Sequence, residues 1–248
     1  MTITATPSTV RRAPIGAYDR AFYTGLASAM ALTVVAGFGG SYYFRLLSGT
    51  PATLTGRSFT PVLQMHGALF TAWVVLFLVQ TGLIAAHRQR VHRRLGYASI
   101  ALATAMIVVG FRTAIEAAAH GAAPPGTNAL TFLVVPVFDL ILFTGFISAA
   151  LLKRRDKEAH KRLMVLAYVS IITAAVARLP GLLPLGPLVF FGLSFLFALA
   201  GIVYDRVSRG RIHGVYKWGA PIFALSVPLR LAVSGTAAWQ SFARWLVQ

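Results

Sequence analysis

Apolar runs of about 20 residues repeat from one end of this chain to the other, and they constrain the fold more than any other feature. The 248-residue sequence is 57% hydrophobic and only 12% charged, whereas soluble globular domains carry about 25% charged residues. A run of about 18 or more apolar residues can cross a bilayer as a helix. These runs are continuously apolar and do not alternate, which argues against a transmembrane barrel. The sequence therefore predicts an all-α, polytopic membrane helical bundle.

Seven segments have the length and composition of transmembrane helices, since about 20 residues at 1.5 Å each cover the roughly 30 Å of hydrocarbon. The predicted spans are Ala21–Phe44, Val62–Ala86, Leu95–Ala118, Ala129–Leu152, Leu163–Leu183, Pro187–Tyr204 and Trp218–Trp239. They form a predicted transmembrane domain over residues 21–239, between an N-terminal tail (1–20) and a short C-terminal tail (240–248). The fifth span runs into RLPGLLPLGP, whose prolines remove backbone donors and favour a break or a re-entrant turn.

Basic residues are distributed unevenly between the two ends of these spans. Four segments that seven spans place on one side of the membrane hold 17 of the 23 Lys and Arg residues: the N-terminal tail, HRQRVHRR, KRRDKEAHKR and residues 206–217. The positive-inside rule makes this side cytoplasmic, so the N-terminus is predicted inside and the C-terminus outside. Topology therefore explains the net charge of +17. The expected partner of that charge is the anionic lipid surface and not nucleic acid.

The sequence also contains a candidate internal repeat. HRRLGYASIALATAMIVVGFR (residues 92–112) and HKRLMVLAYVSIITAAVAR (residues 160–178) both begin with His-basic-Arg-Leu and end at an arginine. The second and third spans, and the fourth and fifth, would then be two hairpins in the same orientation, as in a parallel repeat. The alternative is convergence on one solution for a basic, amphipathic helix start.

Ionisable residues fall at similar predicted depths in five of the spans. Such groups are costly inside a membrane and generally face the interior of the bundle. Counted upward from the basic clusters at 1.5 Å per residue, they lie in the outer half of the bilayer. The residues of this layer, which we treat as candidate ligand-binding residues, are His66, Arg112, Glu116, Asp139, Arg178 and Arg230.

Two interpretations of this layer follow from its charges. Arg112 and Glu116 are four residues apart and can pair on one helix face, which leaves Asp139 to share Arg178 and Arg230. The first interpretation is an interhelical salt-bridge network with some arginines reaching outward. The second is an outward-facing cationic pocket for an anionic headgroup, a carboxylate or haem propionates. Arginine suits such planar anions better than lysine, and this layer contains no lysine.

Histidines raise the question of a cofactor. His66 begins a stripe in HGALFTAWVVLFLVQTGLIAAH, where a polar atom recurs every seven residues on one narrow helix face that must meet protein or water. Bis-histidine haem needs two imidazoles on facing helices at matching depth, and His92 and His160 match by motif and by predicted depth. The alternative is that both histidines lie in water at the basic edge of the membrane and bind no haem. Zinc needs three or four converging ligands, and no such spacing occurs, so we predict no metal site of that kind.

Several segments resemble a family of uncharacterised bacterial multi-pass inner-membrane proteins. They are HGALFTAWVVLFLVQTGLIAAHRQRVHRRLG, FDLILF, HKRLMVLA, ARLP and IHGVYKWG, between about His66 and Gly219. The resemblance implies the inner, or plasma, membrane and implies no activity. The helix starts of the form H-basic-R-L are similar, more weakly, to those of di-haem b-type membrane cytochromes, which implies haem at His92 or His160. In those cytochromes the haem-binding histidines lie inside the helices. In this chain only His66 lies plainly inside a predicted span.

The sequence thus supports three hypotheses of function. The first is a transporter-like or lipid-facing module whose outer-half cavity handles a small anionic or amphiphilic ligand. The second is a membrane redox protein with b-type haem, and the third is a non-catalytic subunit or assembly factor that binds other membrane subunits. The absence of cysteine excludes thiol catalysis, no nucleophile and base pattern is evident, and the sequence leaves open whether the chain is an enzyme.

Overall fold

The computed structural model describes residues 15–48 and 60–248. Residues 1–14 of the predicted N-terminal tail, with Arg11 and Arg12, lie outside the described residues, as does Arg57. The helices are α1 (Ile15–Phe38), α2 (Arg45–Ser48), α3 (Pro61–Ala85), α4 (Gln89–Ala119), α5 (Ala129–Phe132), α6 (Val134–Leu152), α7 (Lys157–Val176), α8 (Pro187–Arg209), α9 (Gly214–Ser234) and α10 (Ala237–Leu246). A π-helical turn over Gly39–Tyr43 continues α1, and a 3-10 turn over Leu183–Leu185 precedes α8.

The described chain is an all-α bundle of membrane-crossing helices, as predicted. Six segments are long and apolar enough to cross a membrane: Tyr18–Tyr43, Pro61–Ala85, Gln89–Ala119, Ala129–Leu152, Lys157–Val176 and Pro187–Arg209. The pair α9 and α10 forms a seventh candidate, although its two helices meet at an angle of 86°. The chain is therefore an integral, multi-pass membrane protein, and its lipid-facing helices contact the bilayer.

Side-chain caps fix where several helices begin. The Thr60 side chain accepts a hydrogen bond from the Leu63 N–H at 3.2 Å, and Pro61 follows at the first helical position, where its missing N–H is not needed. Asp156 accepts from the backbone N–H groups of Glu158 and Ala159, both at 3.0 Å. Each of these caps supplies an acceptor to donors that have no partner within the helix.

Three predicted spans contain or end at a break. The fourth keeps its predicted bounds, Ala129–Leu152, but is interrupted at Leu133 between α5 and α6, because Pro136 has no N–H for the carbonyl of Phe132. The fifth ends at Val176, before the proline-rich segment, so the predicted break occurs there. The seventh was predicted as one helix to Trp239, which is wrong: α9 ends at Ser234 and α10 starts after Thr236.

The core centres on α7, which packs against α1, α6, α8 and α9. Its buried residues extend almost without interruption from Leu163 to Val176. Gly37 of α1 lies directly against the backbone of Ala175, so close that a Cβ at position 37 would overlap its carbonyl group. The two expected hairpins, α3 with α4 and α6 with α7, are both present and pack closely. Common ancestry of these hairpins stays a prediction.

An ion network ties helices together at the end that carries the basic clusters, which we call the basic end. Arg162 of α7 and Asp205 of α8 are both fully buried and form a two-point ion pair. Asp19 of α1 receives hydrogen bonds from Lys161 at 2.5 Å and from Arg209 at 2.6 Å. Opposite charges compensate each other here, so burial of Arg162 does not leave an unpaired charge.

Candidate functional site

A cavity of about 450 Å³ opens among the helices towards the end opposite the basic end. Its walls come from α1 and the π-helical turn, α3, α4, α6 and α7, and they are mostly apolar or aromatic. The aromatic residues of the lining are Phe38, Tyr42, Tyr43, Phe70, Trp73, Phe132, Tyr168 and Phe190. Concave, largely apolar sites of this size with a few polar groups are typical of small-molecule binding sites.

Four of the six residues of the predicted outer layer line this cavity: His66, Glu116, Asp139 and Arg178. Arg230 lies behind the wall, fully buried and bonded to Asp139. Arg112 is exposed and does not line the cavity. The expected ion pair between Arg112 and Glu116 is not among those formed by the described residues. Five of the six residues thus lie together at a common depth. Arg112 has a similar depth but lies on a side of α4 that does not face the cavity.

Arg230 and Asp139 form an ion pair that joins α9 to α6. The Arg230 Nη1 donates to Asp139 Oδ1 at 2.6 Å, while its Nε and Nη2 donate to the backbone carbonyl and hydroxyl of Ser226. The guanidinium also lies over the rings of Phe191 and Phe138. Every face of Arg230 is therefore occupied by protein, so this arginine holds the fold and is not accessible to a ligand.

Arg178 differs from Arg230 in having no carboxylate partner within 4.0 Å among the described residues. Its Nη1 donates to the backbone carbonyl of Ala174 at 2.6 Å, and its guanidinium lies 4.6 Å from the ring centre of Phe38. It is partly exposed and faces the cavity. A guanidinium carries five N–H donors, so donors of Arg178 remain for an anion in the cavity.

Five residues of the cavity lining each carry one buried polar side-chain atom that has no hydrogen-bond partner among the described residues. The atoms are Ser41 Oγ, His66 Nδ1, Trp73 Nε1, Tyr168 OH and Thr173 Oγ1. Buried polar groups are nearly always hydrogen-bonded, and each exception needs an explanation. An indole nitrogen only donates, and hydroxyl groups can donate. Four of the five groups, the indole and the three hydroxyls, can therefore donate to an acceptor oxygen.

The π-helical turn supplies residues that the sequence did not predict. Wider turns of this kind occur frequently at functional sites. Here the turn presents Ser41, Tyr42 and Tyr43 to the cavity. Tyr43 hydrogen-bonds Thr71 of α3 at 3.1 Å, and the ring of Tyr42 packs directly on Gly67. No pattern in the sequence of this segment signals a π turn.

The polar stripe of α3 divides by depth. His66 is stacked on Phe70, with ring centres 4.1 Å apart, at the cavity. Trp73 is buried in the same wall. Nearer the basic end, Gln80 bonds Ser99 of α4 at 3.1 Å, as expected for a polar contact between helices. His87 is exposed in the turn after α3, with a positive φ of 58°. Only the outer half of the stripe thus belongs to the cavity.

His92 and His160 lie side by side, although they come from different hairpins. Their ring centres are 6.4 Å apart and their planes are nearly perpendicular. His160 Nδ1 donates to the carbonyl of Ala150 at 2.8 Å, which leaves its Nε2 as a free ligand atom. The Gln80 side-chain amide matches the donors and acceptors around it when its nitrogen donates a hydrogen bond to His92 Nδ1 at 2.7 Å. That arrangement puts the proton of a neutral His92 on Nε2. Only His160 therefore has an unprotonated Nε2 that can bind haem iron.

No protein-family model, curated protein or solved structure matches this chain.

Proposed function

We propose that the cavity binds a small amphiphile with an anionic headgroup, as part of a transporter-like or lipid-facing membrane protein. The observation that carries this proposal is that five residues with unpaired polar atoms line one cavity beside Arg178, which has no carboxylate partner among the described residues. The basic residues of the opposite end favour an outer-leaflet position for the site. The resemblance to bacterial inner-membrane proteins supports the plasma membrane as its location.

The charges and donors define the class of ligand. Arg178 offers a charge-assisted, planar donor that suits a carboxylate or a phosphate. Trp73 and the hydroxyls of Tyr168, Ser41 and Thr173 would complete the hydrogen bonds of the headgroup oxygens. Aromatic and aliphatic side chains cover most of the remaining wall, so the body of the ligand should be apolar. A purely hydrophilic anion would leave these walls in contact with polar atoms.

Trp73 makes the proposal testable by fluorescence, because its indole lies in the cavity wall. In a variant that retains Trp73 and has phenylalanine at positions 218, 239 and 245, brominated dodecanoate should quench the emission in a saturable manner. The brominated alcohol of the same length carries no anionic group and should quench weakly. Arg178→Gln should weaken the apparent affinity for the carboxylate about tenfold or more, as expected for loss of a charge-assisted hydrogen bond.

Arg112→Gln is the matched control, since Arg112 is at a similar predicted depth but is exposed outside the cavity. This variant should bind the carboxylate with unchanged affinity. Equal affinities of Arg178→Gln and the parent protein, or equal quenching by the alcohol, would reject the proposed site. Melting temperatures of both variants in the same detergent show whether a loss of binding reflects a loss of folding.

A second candidate is b-type haem between His92 and His160. The favourable observation is that the two rings, from α4 and α7, are neighbours with centres 6.4 Å apart, and two imidazoles from different helices could hold a haem. Haem would supply electron transfer when bound. The residues available are the two imidazoles, with Arg93 and Arg94 exposed beside His92. The proton on His92 Nε2 opposes ligation, and the Gln80 amide would have to rotate to move it.

An absorption spectrum of the purified protein distinguishes the two candidates. A Soret band that disappears in both His92→Ala and His160→Ala would establish haem and place it at this pair. A flat visible spectrum in protein expressed with ample haem would eliminate the second candidate and leave the amphiphile site unaffected.

A further inference from the structure

The C-terminal helix α10 turns away from the bundle axis instead of completing the last span. It leaves α9 at an angle of 86° after the turn at residues 235 and 236. Thr236 caps its first turn by accepting a hydrogen bond from the Trp239 N–H at 3.2 Å. The 21 residues of α9 cover about 31 Å by themselves, which is enough to cross the hydrocarbon core. The ten residues of α10 are therefore not needed for the crossing.

One face of α10 is held against the bundle. Trp239 and Ala243 are buried there in a small cluster with α4 and α6. The Trp239 Nε1 donates to the carbonyl of Leu130 at 2.8 Å, and the Gln240 amide donates to Thr131 Oγ1 at 3.1 Å. Both partners lie in α5, so the orientation of α10 is fixed by packing and by directional bonds. The helix does not hang free in solvent.

A second face of α10 is apolar and exposed. Phe242 is 45% exposed and Trp245 is 67% exposed, and their rings stack with centres 5.9 Å apart. Positions 238, 242 and 245 follow one helix face at 100° per residue, whereas Ser241 and Arg244 lie on the next, polar side. Two large aromatic side chains next to a polar face are typical of a helix at a membrane–water interface.

We infer that α10 lies in the plane of the membrane and inserts Phe242 and Trp245 among the lipids of the leaflet at the end opposite the basic end. Its angle to α9 gives the required orientation, and lipid would remove its exposed aromatic side chains from water. Arg244 then lies at the level of the lipid phosphates, where its charge is favourable. Because α5 carries Phe132 in the cavity wall, this contact also anchors one wall of the cavity to the lipid surface.

Spin labels provide the test, and the absence of cysteine makes each single-cysteine variant free of background labelling. Four variants are labelled in reconstituted vesicles: Phe242→Cys and Trp245→Cys on the apolar face, and Ser241→Cys and Arg244→Cys on the polar face. All four positions are exposed, so the labels do not disturb the core. Accessibility to oxygen, which concentrates in lipid, is compared with accessibility to a water-soluble nickel chelate.

We expect oxygen to dominate at positions 242 and 245, at a depth near the headgroups, and the chelate to dominate at positions 241 and 244. Dominance of the chelate at all four positions would place α10 in water and overturn the inference. A depth near the bilayer centre at 242 and 245 would also overturn it, because α10 would then be a re-entrant segment. Neither outcome depends on whether the cavity binds a ligand.

Discussion

Two arginines near the same cavity show how surroundings decide the role of a residue. Arg230 is fully buried and satisfied by Asp139, Ser226 and aromatic rings. Among the described residues, Arg178 has one backbone acceptor and packs on one aromatic ring, and it faces the cavity. Removal of the first should damage the fold, and removal of the second should damage binding. The two variants separate the structural and functional parts of the polar layer.

Asp139→Ala tests the structural part. It leaves the Arg230 charge buried without a counter-ion, and breaking a buried pair in this way typically costs about 3–5 kcal/mol. We expect a large fall in the thermal unfolding temperature in detergent. Glu116→Ala serves as the control, because Glu116 has no ion-pair partner among the described residues and should change the unfolding temperature little. Equal effects of the two substitutions would contradict the assigned role of Asp139.

His213 should make the stability depend on pH near neutrality. Burial lowers its pKa below the ordinary value, and the positive charge of Arg162 lowers it further. The neutral ring caps α9, where Nδ1 accepts from the Val215 N–H at 3.2 Å. The unfolded chain binds the proton more tightly, so stability is full above about pH 6.5 and declines as the pH falls through the unfolded pKa towards the folded pKa.

His213→Asn retains a capping side chain and removes the titration. The difference between the unfolding temperatures at pH 7.5 and pH 5.5 should therefore shrink in this variant, measured in one detergent. An unchanged difference would assign the acid sensitivity to another group.

At the scale of elements, the sequence predicted most helices well and missed the irregular ones. Membrane helices follow from length and apolarity, because lipid satisfies no backbone polar group. The break after α7 was signalled by the prolines of the following segment, RLPGLLPLGP. The break after Ser234 was signalled only by the sequence SGT, in which Thr236 is an N-cap within an apolar run. The π turn had no local signal, since it depends on how Tyr42 and Tyr43 pack against α3.

Two glycines of α1 test the packing of this element. At Gly37 an added Cβ would overlap the carbonyl group of Ala175, whereas at Gly25 it would meet open space. Gly37→Ala should therefore cost about 1–3 kcal/mol through forced displacement of α1 from α7. Gly25→Ala should be neutral or stabilise by up to about 1 kcal/mol through helix propensity. Denaturation in mixed micelles measures both, and a stable Gly37→Ala variant would contradict the close contact.

At the scale of the whole molecule, charge and polarity separate along the bundle axis. The basic end holds a compensated ion network, as in the pair of Arg162 and Asp205, while the opposite end holds the cavity. The sequence predicted this layering because depth follows from counting residues along helices. It did not predict which side of each helix would face the cavity, as Arg112 shows. It also gave the acids of the basic end no role, although four of the six acidic residues occur there: Asp19, Asp156, Glu158 and Asp205.

The predicted orientation of the molecule can be tested with two single-cysteine variants. Thr127→Cys lies in the loop after α4, and Arg154→Cys lies between α6 and α7 at the basic end. A membrane-impermeant thiol reagent added to spheroplasts should label the first and leave the second unlabelled until the membrane is permeabilised. The reverse pattern would invert the topology.

The most direct test of the central claim, an outward-opening cavity that holds an anionic amphiphile, is protection of a cysteine within it. Ser41→Cys places a thiol on the cavity wall of a chain that has no other. In spheroplasts, a small sulfonated thiol reagent should modify this cysteine from outside, and dodecanoate should slow the modification in proportion to its concentration, whereas dodecanol should not. A thiol that reacts equally fast with and without dodecanoate, or that external reagent does not reach, would contradict the claim.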